Sequence, residues 1–178
     1  MTFYLEFVKA NPLLAAFIQF GILGFLGEIV SYFITKRPLK EIGNWIQIIL
    51  KMLAWGILGI IIKYGFTGMR GFLNGLIEHN MIMHMKSGTI LYAFFLSVFT
   101  NIIFGPQMMT FHRVEENLIM KKKGFQGIEN SFKTLIWFWI PAHTITFALP
   151  VDYQIGLAAL WSVVLGIIIG SAKGNRKS

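Results

Sequence analysis

Five long apolar windows leave this chain few folds to choose from. A helix crossing the hydrocarbon of a bilayer needs roughly 20 predominantly apolar residues. Residues Pro12 to Ile34, Trp45 to Tyr64, Gly88 to Met109, Phe132 to Leu149 and Ile155 to Ala172 come near that length or reach it. The second, third and fifth windows are the cleanest, whereas Glu28 interrupts the first, and Pro141 with His143 the fourth. Of the 178 residues, 55% are hydrophobic and only 13% charged, with a mean hydropathy of +0.63, more apolar surface than a soluble domain hides. The expectation is an all-α integral membrane protein, a single transmembrane domain over residues 1–178 with about five spans. Four and six are the neighbouring counts.

What is missing narrows the function. The first apolar run is long and begins at Asn11-Pro12, without a basic start or a small-residue cleavage site, so it reads as a retained helix. The sequence has no cysteine, which removes disulfides, thiolate metal sites and thiol catalysis. It carries no phosphate-binding loop, dinucleotide fingerprint or nucleophile motif. Neither an enzyme nor a cofactor is expected.

The formal charge of +8 would suggest nucleic acid in a soluble protein, but here the question is which connections carry it. With five spans, Lys9, Lys63, Arg70 and Lys86 fall on one side. The other side holds Lys36, Arg37 and Lys40, then Arg113, Lys121, Lys122, Lys123 and Lys133, then Lys173, Arg176 and Lys177. That excess places the N-terminus outside and the C-terminus in the cytoplasm. A composition rich in Ile, Lys and Phe makes a bacterial cytoplasmic membrane the expected location. Lys121, Lys122 and Lys123 are an ordinary topology signal or a contact for anionic lipids. No aromatic-interleaved basic platform accompanies them, so nucleic acid is not an expected partner.

Residues Gly71 to Met85 and Phe111 to Phe132 are too polar to span and too apolar for free loops, which predicts one or two amphipathic helices at the interface. Their charged residues include Glu78, His79, Arg113, Glu115 and Glu116.

Within the spans, Glu28 and Lys51 stand out, because an ionisable residue there costs about 2.5–3.5 kcal/mol on insertion scales and faces the bundle interior. Glu28 lies six residues before the inner end at Ile34, and Lys51 six after the inner start at Trp45. At about 1.5 Å per residue both sit about 9 Å from the same boundary, so an intramembrane ion pair is geometrically open to them. The pair either lines a pathway for ions, protons or anionic solutes, or is a structural bridge. Gln19, Gln47, Thr100, Asn101 and Gln107 add uncharged polar groups that either line a cavity or hydrogen-bond helices together. Pro141 frees a backbone carbonyl close to His143, Thr144 and Thr146, which predicts a kink in which the imidazole carries a proton or satisfies the broken helix.

The last window sets Ala158, Ser162, Gly166 and Gly170 on one smooth helix face, the pattern of close helix packing within the chain or across a homo-oligomer. The run Met81 to Met85, with His84 inside it, offers soft ligands, but methionine-rich apolar stretches fill gaps, and His79 and His84 do not share a helix face. His112 with Glu115 and Glu116 shares a face yet is too small a set for zinc, so no metal site is expected.

Phe138-Trp139-Ile140-Pro141, Thr146-Phe147, Leu149-Pro150, Tyr153-Gln154 and Trp161-Ser162 follow one another in an order that resembles the Mpv-seventeen and peroxisomal-membrane-protein-twenty-two family. That family shows Trp-Pro, Asn-Phe, Val-Pro, Tyr-Arg and Trp-Asn in this order, and near its start a His-Pro and a helix ending in Gly-Asp. Asn11-Pro12 and Gly27-Glu28 stand at those last two places here. The family's Asp-Gln corresponds to Glu78-His79, and the tail spacings are shorter. The resemblance implies a small multi-helix membrane protein with channel-like conduction of an unsettled solute. Together with the in-span charges it leads to the expectation of a channel or transporter-like pore for small ions or metabolites. The alternative is a non-conducting structural or interaction protein with a buried Glu-Lys bridge.

Overall fold

The computed structural model describes the backbone of residues 2–174 and the side chains of residues 3–167. Gly170, Lys173, Arg176 and Lys177 lie outside the residues whose side chains are described. The described residues are helical with short connections, and no strand occurs among them. A short helix, α1 (Thr2–Ala10), is followed by α2 (Pro12–Ile34) and α3 (Trp45–Glu78). Next come α4 (Ile90–Phe99) and α5 (Gly105–Met120), joined through a π-helical turn at Thr100–Phe104. A second such turn at Leu135–Trp139 joins α6 (Ile128–Thr134) to α7 (Ile140–Ala148), and α8 (Val151–Gly174) closes the chain. Three of these rods, Pro12–Ile34, Trp45–Glu78 and Ile90–Met120, are long and apolar enough to cross a membrane.

The rods alternate in direction. Glu28 meets Lys51 while Ala16 meets Gly59, so α2 and α3 run antiparallel. Phe104 abuts Gly65 and Tyr92 bonds Asn74, which sets α4–α5 antiparallel to α3. Ser97 reaches Ile140, and Leu135 lies over Gly105, so α6–α7 returns beside α4–α5. Finally α8 lies parallel to α2, with Ser162 and Gly166 against Gly27. Each rod also shows large apolar side chains outward, among them Ile22 on α2, Ile57 on α3, Ile102, Ile136 and Leu160, a surface suited to lipid rather than water.

Two sequence expectations are corrected here. Residues 71–85 do not form a separate amphipathic helix: 71–78 complete α3, and residues 79–89 are non-helical. Residues 111–132 likewise divide, with 111–120 completing α5, 121–127 a connection, and α6 beginning at Ile128. Hydropathy falls where polar side chains enter a window, but the i to i−4 bonding of the backbone continues as long as those side chains find partners. Arg70 does so by donating to Gln154 Oε1 at 2.7 Å.

Local chemistry accounts for the ends. Asn44 and Gln47 form a reciprocal capping box that starts α3, with Asn44 Oδ1 accepting from the Gln47 N–H at 3.0 Å. Gly43 precedes it at φ 125°, a conformation open to glycine. Both prolines inside rods, Pro106 and Pro141, stand two residues after a π turn. Proline has no N–H to give, and the wider turn absorbs the break in the ladder. Nearby carbonyls are taken up by side chains: Thr144 Oγ1 and Ser97 Oγ both donate to the Ile140 oxygen at 2.7 Å.

Packing follows membrane rules, in which close approach through small residues replaces a hydrophobic drive between helices. A Cβ on Gly166 would stand 2.5 Å from the Gly27 carbonyl oxygen, and one on Gly27 would stand 2.7 Å from that of Ser162. The stripe Ala158, Ser162, Gly166 therefore seats α8 on α2 within the chain, with Ala158 buried.

Candidate functional site

Lys51 reaches across from α3 and donates from Nζ to Glu28 Oε1 on α2, forming the ion pair anticipated from their shared depth. The lysine side chain is 4% exposed and the carboxylate side chain 21%. Trp55, one turn further along α3, lays its ring against His112 of α5, with centroids 4.4 Å apart. His112 in turn places Nδ1 4.0 Å from Glu115 Oε2. Four ionisable side chains from three helices thus gather at one end of the bundle. Gln47 anchors the same end, its amide donating to the Ile119 carbonyl at 3.1 Å.

The two halves of this cluster differ in how they are satisfied. Glu28 and Lys51 hold each other, and one turn along α2 from Glu28 Tyr32 receives a hydrogen bond from Arg37, which also pairs with Glu41. By contrast, His112 Nδ1 and Glu115 Oε2 are both buried without any hydrogen-bond partner. At 4.0 Å they are too far apart to bond and too close to ignore each other. Buried polar atoms left unpaired cost about 1–3 kcal/mol each, which marks the pair as unfinished.

Sequence reasoning missed His112 and Glu115 as partners of Glu28 and Lys51. It assigned them to an interfacial segment because their own window is polar, whereas a charge in an apolar window is conspicuous. The available signal was the shared helix face of residues 112 and 115, one turn apart.

A second polar node lies at the π turns. Asn101, 2% exposed, donates from Nδ2 to the Ser97 carbonyl at 2.8 Å and sets its amide against His143 Nδ1 at 3.1–3.2 Å. Phe66, Trp139 and Phe147 surround the imidazole. Thr100 Oγ1 and Trp139 Nε1 remain unpartnered beside this node. Asn101 and His143, predicted separately, are therefore brought together, although apart from the Glu28–Lys51 pair in sequence and in hydrogen bonding. Gln107 joins neither: it is exposed and donates to Ile103 of its own helix at 2.9 Å. It takes up a carbonyl near Pro106.

The remaining candidates fall into place simply. Gln19 accepts from the Tyr4 hydroxyl at 3.2 Å beside an open, mainly apolar groove of about 400 Å³ between α1, α2 and α8. Met81 and Met83 are exposed and Met85 is buried in the core, outside any helix. Among the described residues no group of three or more His, Asp or Glu is placed to hold a metal. Lys121, Lys122 and Lys123 are exposed at the connection after α5. No family model matches the chain, nor does any curated protein or solved structure.

Proposed function

We propose that this chain is a five-span membrane protein that passes small ions or metabolites, with the Glu28–Lys51 bridge as its closed gate. The observation that carries the reading is the gathering of Glu28, Lys51, His112 and Glu115 from three helices inside an apolar bundle. A bridge needed only for stability has no use for two further ionisable groups left unpaired beside it. The alternating rods accommodate five spans if α6–α7 and α8 cross as well, and that odd number of crossings then puts the two chain ends on opposite faces. Exposed Lys36, Lys40 and Lys121 to Lys123 mark the cytoplasmic face, with anionic lipid headgroups as their partners. The order of motifs from Phe138 to Ser162 supports distant membership of the Mpv-seventeen family as part of the same proposal.

Reconstitution in liposomes tests the gate. Flux of small ions and of uncharged metabolites is measured for the parent, Glu28→Gln and Lys51→Met. Breaking the bridge is expected to change flux severalfold, and equal flux in all three proteins would refute the assignment. A second reading, a non-conducting structural protein, is favoured by the closed bridge and by the tight seat of α8 on α2. It expects no flux from any of the three.

A further inference from the structure

We infer that His112 and Glu115 form a binding site for one proton, and that filling it loosens the Glu28–Lys51 bridge. The geometry is that of a site awaiting its occupant. Two buried atoms of matched chemistry, His112 Nδ1 and Glu115 Oε2, face each other at 4.0 Å with no other partner. With the neutral ring's hydrogen on Nε2, Nδ1 has nothing to give the carboxylate, and a second proton on the imidazole makes it a donor. A closure of about 1 Å then makes a charge-assisted hydrogen bond of roughly 2.7–2.9 Å and satisfies both atoms at once. A metal ion would need about four ligands where two are offered. Trp55 lies against the ring, with centroids 4.4 Å apart.

The charged groups around the imidazole decide what its protonation does. On its own helix these are Glu116 and Arg113, which pair with each other at 3.4 Å, and from α3 the near charge is Lys51. Glu28 of α2 lies behind Lys51 as its partner, while the charged residues of α6, Glu129 and Lys133, are exposed. A positive imidazolium therefore repels Lys51 and competes with it for nearby carboxylates, weakening its hold on Glu28. Acid on the cytoplasmic side thus opens the gate. This consequence for flux rests on the transport reading above, whereas the proton site itself does not.

Trp55 supplies a readout independent of transport, because an imidazolium in contact with an indole quenches its fluorescence. The purified protein in lipid nanodiscs is titrated with acid while tryptophan emission is followed. The parent is expected to lose emission in one step that is absent in both His112→Gln and Trp55→Phe. Glu115→Gln, which keeps size and shape, is expected to move the step down by about 1–3 pH units through loss of the opposite charge. A step unchanged in His112→Gln, or unmoved in Glu115→Gln, overturns the site. In liposomes acid is expected to raise flux through the parent and not through His112→Gln, and the same pH response in both overturns the coupling. A parent that conducts at no pH defeats the transport reading instead, and the fluorescence titration still decides the proton site.

Discussion

The Glu28–Lys51 bridge should behave as a single energetic unit, with the two single substitutions unequal and their effects far from additive. Glu28→Gln abandons an ammonium whose side chain is 4% exposed. Stranding a buried charge in this way costs about 3–5 kcal/mol. Lys51→Met abandons a carboxylate that is 21% exposed, which partial hydration and protonation relieve, so about 2–3 kcal/mol is expected. The double variant Glu28→Gln/Lys51→Met removes both charges and keeps the volume of the lysine stem. It should lie within about 1 kcal/mol of the parent, since buried pairs replaced together are often neutral. The implied coupling is at least about 4 kcal/mol, several hundredfold in the unfolding constant. Reversible unfolding in mixed micelles with rising denaturing detergent, followed by circular dichroism, measures all four corners of the cycle. Single effects that add to within about 0.5 kcal/mol in the double variant would show that the two residues do not act on each other.

Other consequences are simpler to read. Gly166→Leu should destabilise the fold by about 3 kcal/mol or more, because its Cβ alone would press on the Gly27 carbonyl, whereas Gly68→Ala meets nothing within 4 Å and should be tolerated; equal melting temperatures for the two would contradict the α2–α8 seat. Asn101→Leu strands Ser97 and His143 and should cost about 1–3 kcal/mol, while Gln107→Leu, exposed and bonded only within its helix, should cost under about 0.5 kcal/mol. Because the natural sequence has no cysteine, single cysteines at Ser87 and Gln126 give an unambiguous topology test. An impermeant maleimide added to intact cells should label Ser87→Cys and leave Gln126→Cys untouched, and the reverse would invert the orientation.

Much of the architecture was legible along the chain because hydropathy and capping are local properties. The apolar windows located the long rods, Asn11-Pro12 marked the start of the first, and Glu28 and Lys51 were visible because charges within apolar runs have nowhere else to go. Counting residues inward from a common boundary put those two at one depth and left an ion pair geometrically open to them. Where the windows failed was at their ends: α3 runs on to Glu78 and α5 to Met120, since a helix stops when its backbone bonding stops and not when hydropathy falls.

Tertiary structure alone decided which polar residues meet. Asn101 and His143 are 42 residues apart and are joined because two proline-linked π turns lie on neighbouring antiparallel rods. Gln107, polar and on the same rod, turns outward instead. His112 and Glu115 sit in a window whose polarity disguised them, and the packing of α5 on α3 carries them to Trp55 and Lys51. Local sequence sets which segments become helices, but the rotation and register of one helix against another are set by close packing, here at Gly27, Gly59 and Gly166. An apolar window records none of that, and so the chain by itself determined the rods and the depth of the two buried charges, while their pairing and the site around it were settled by packing.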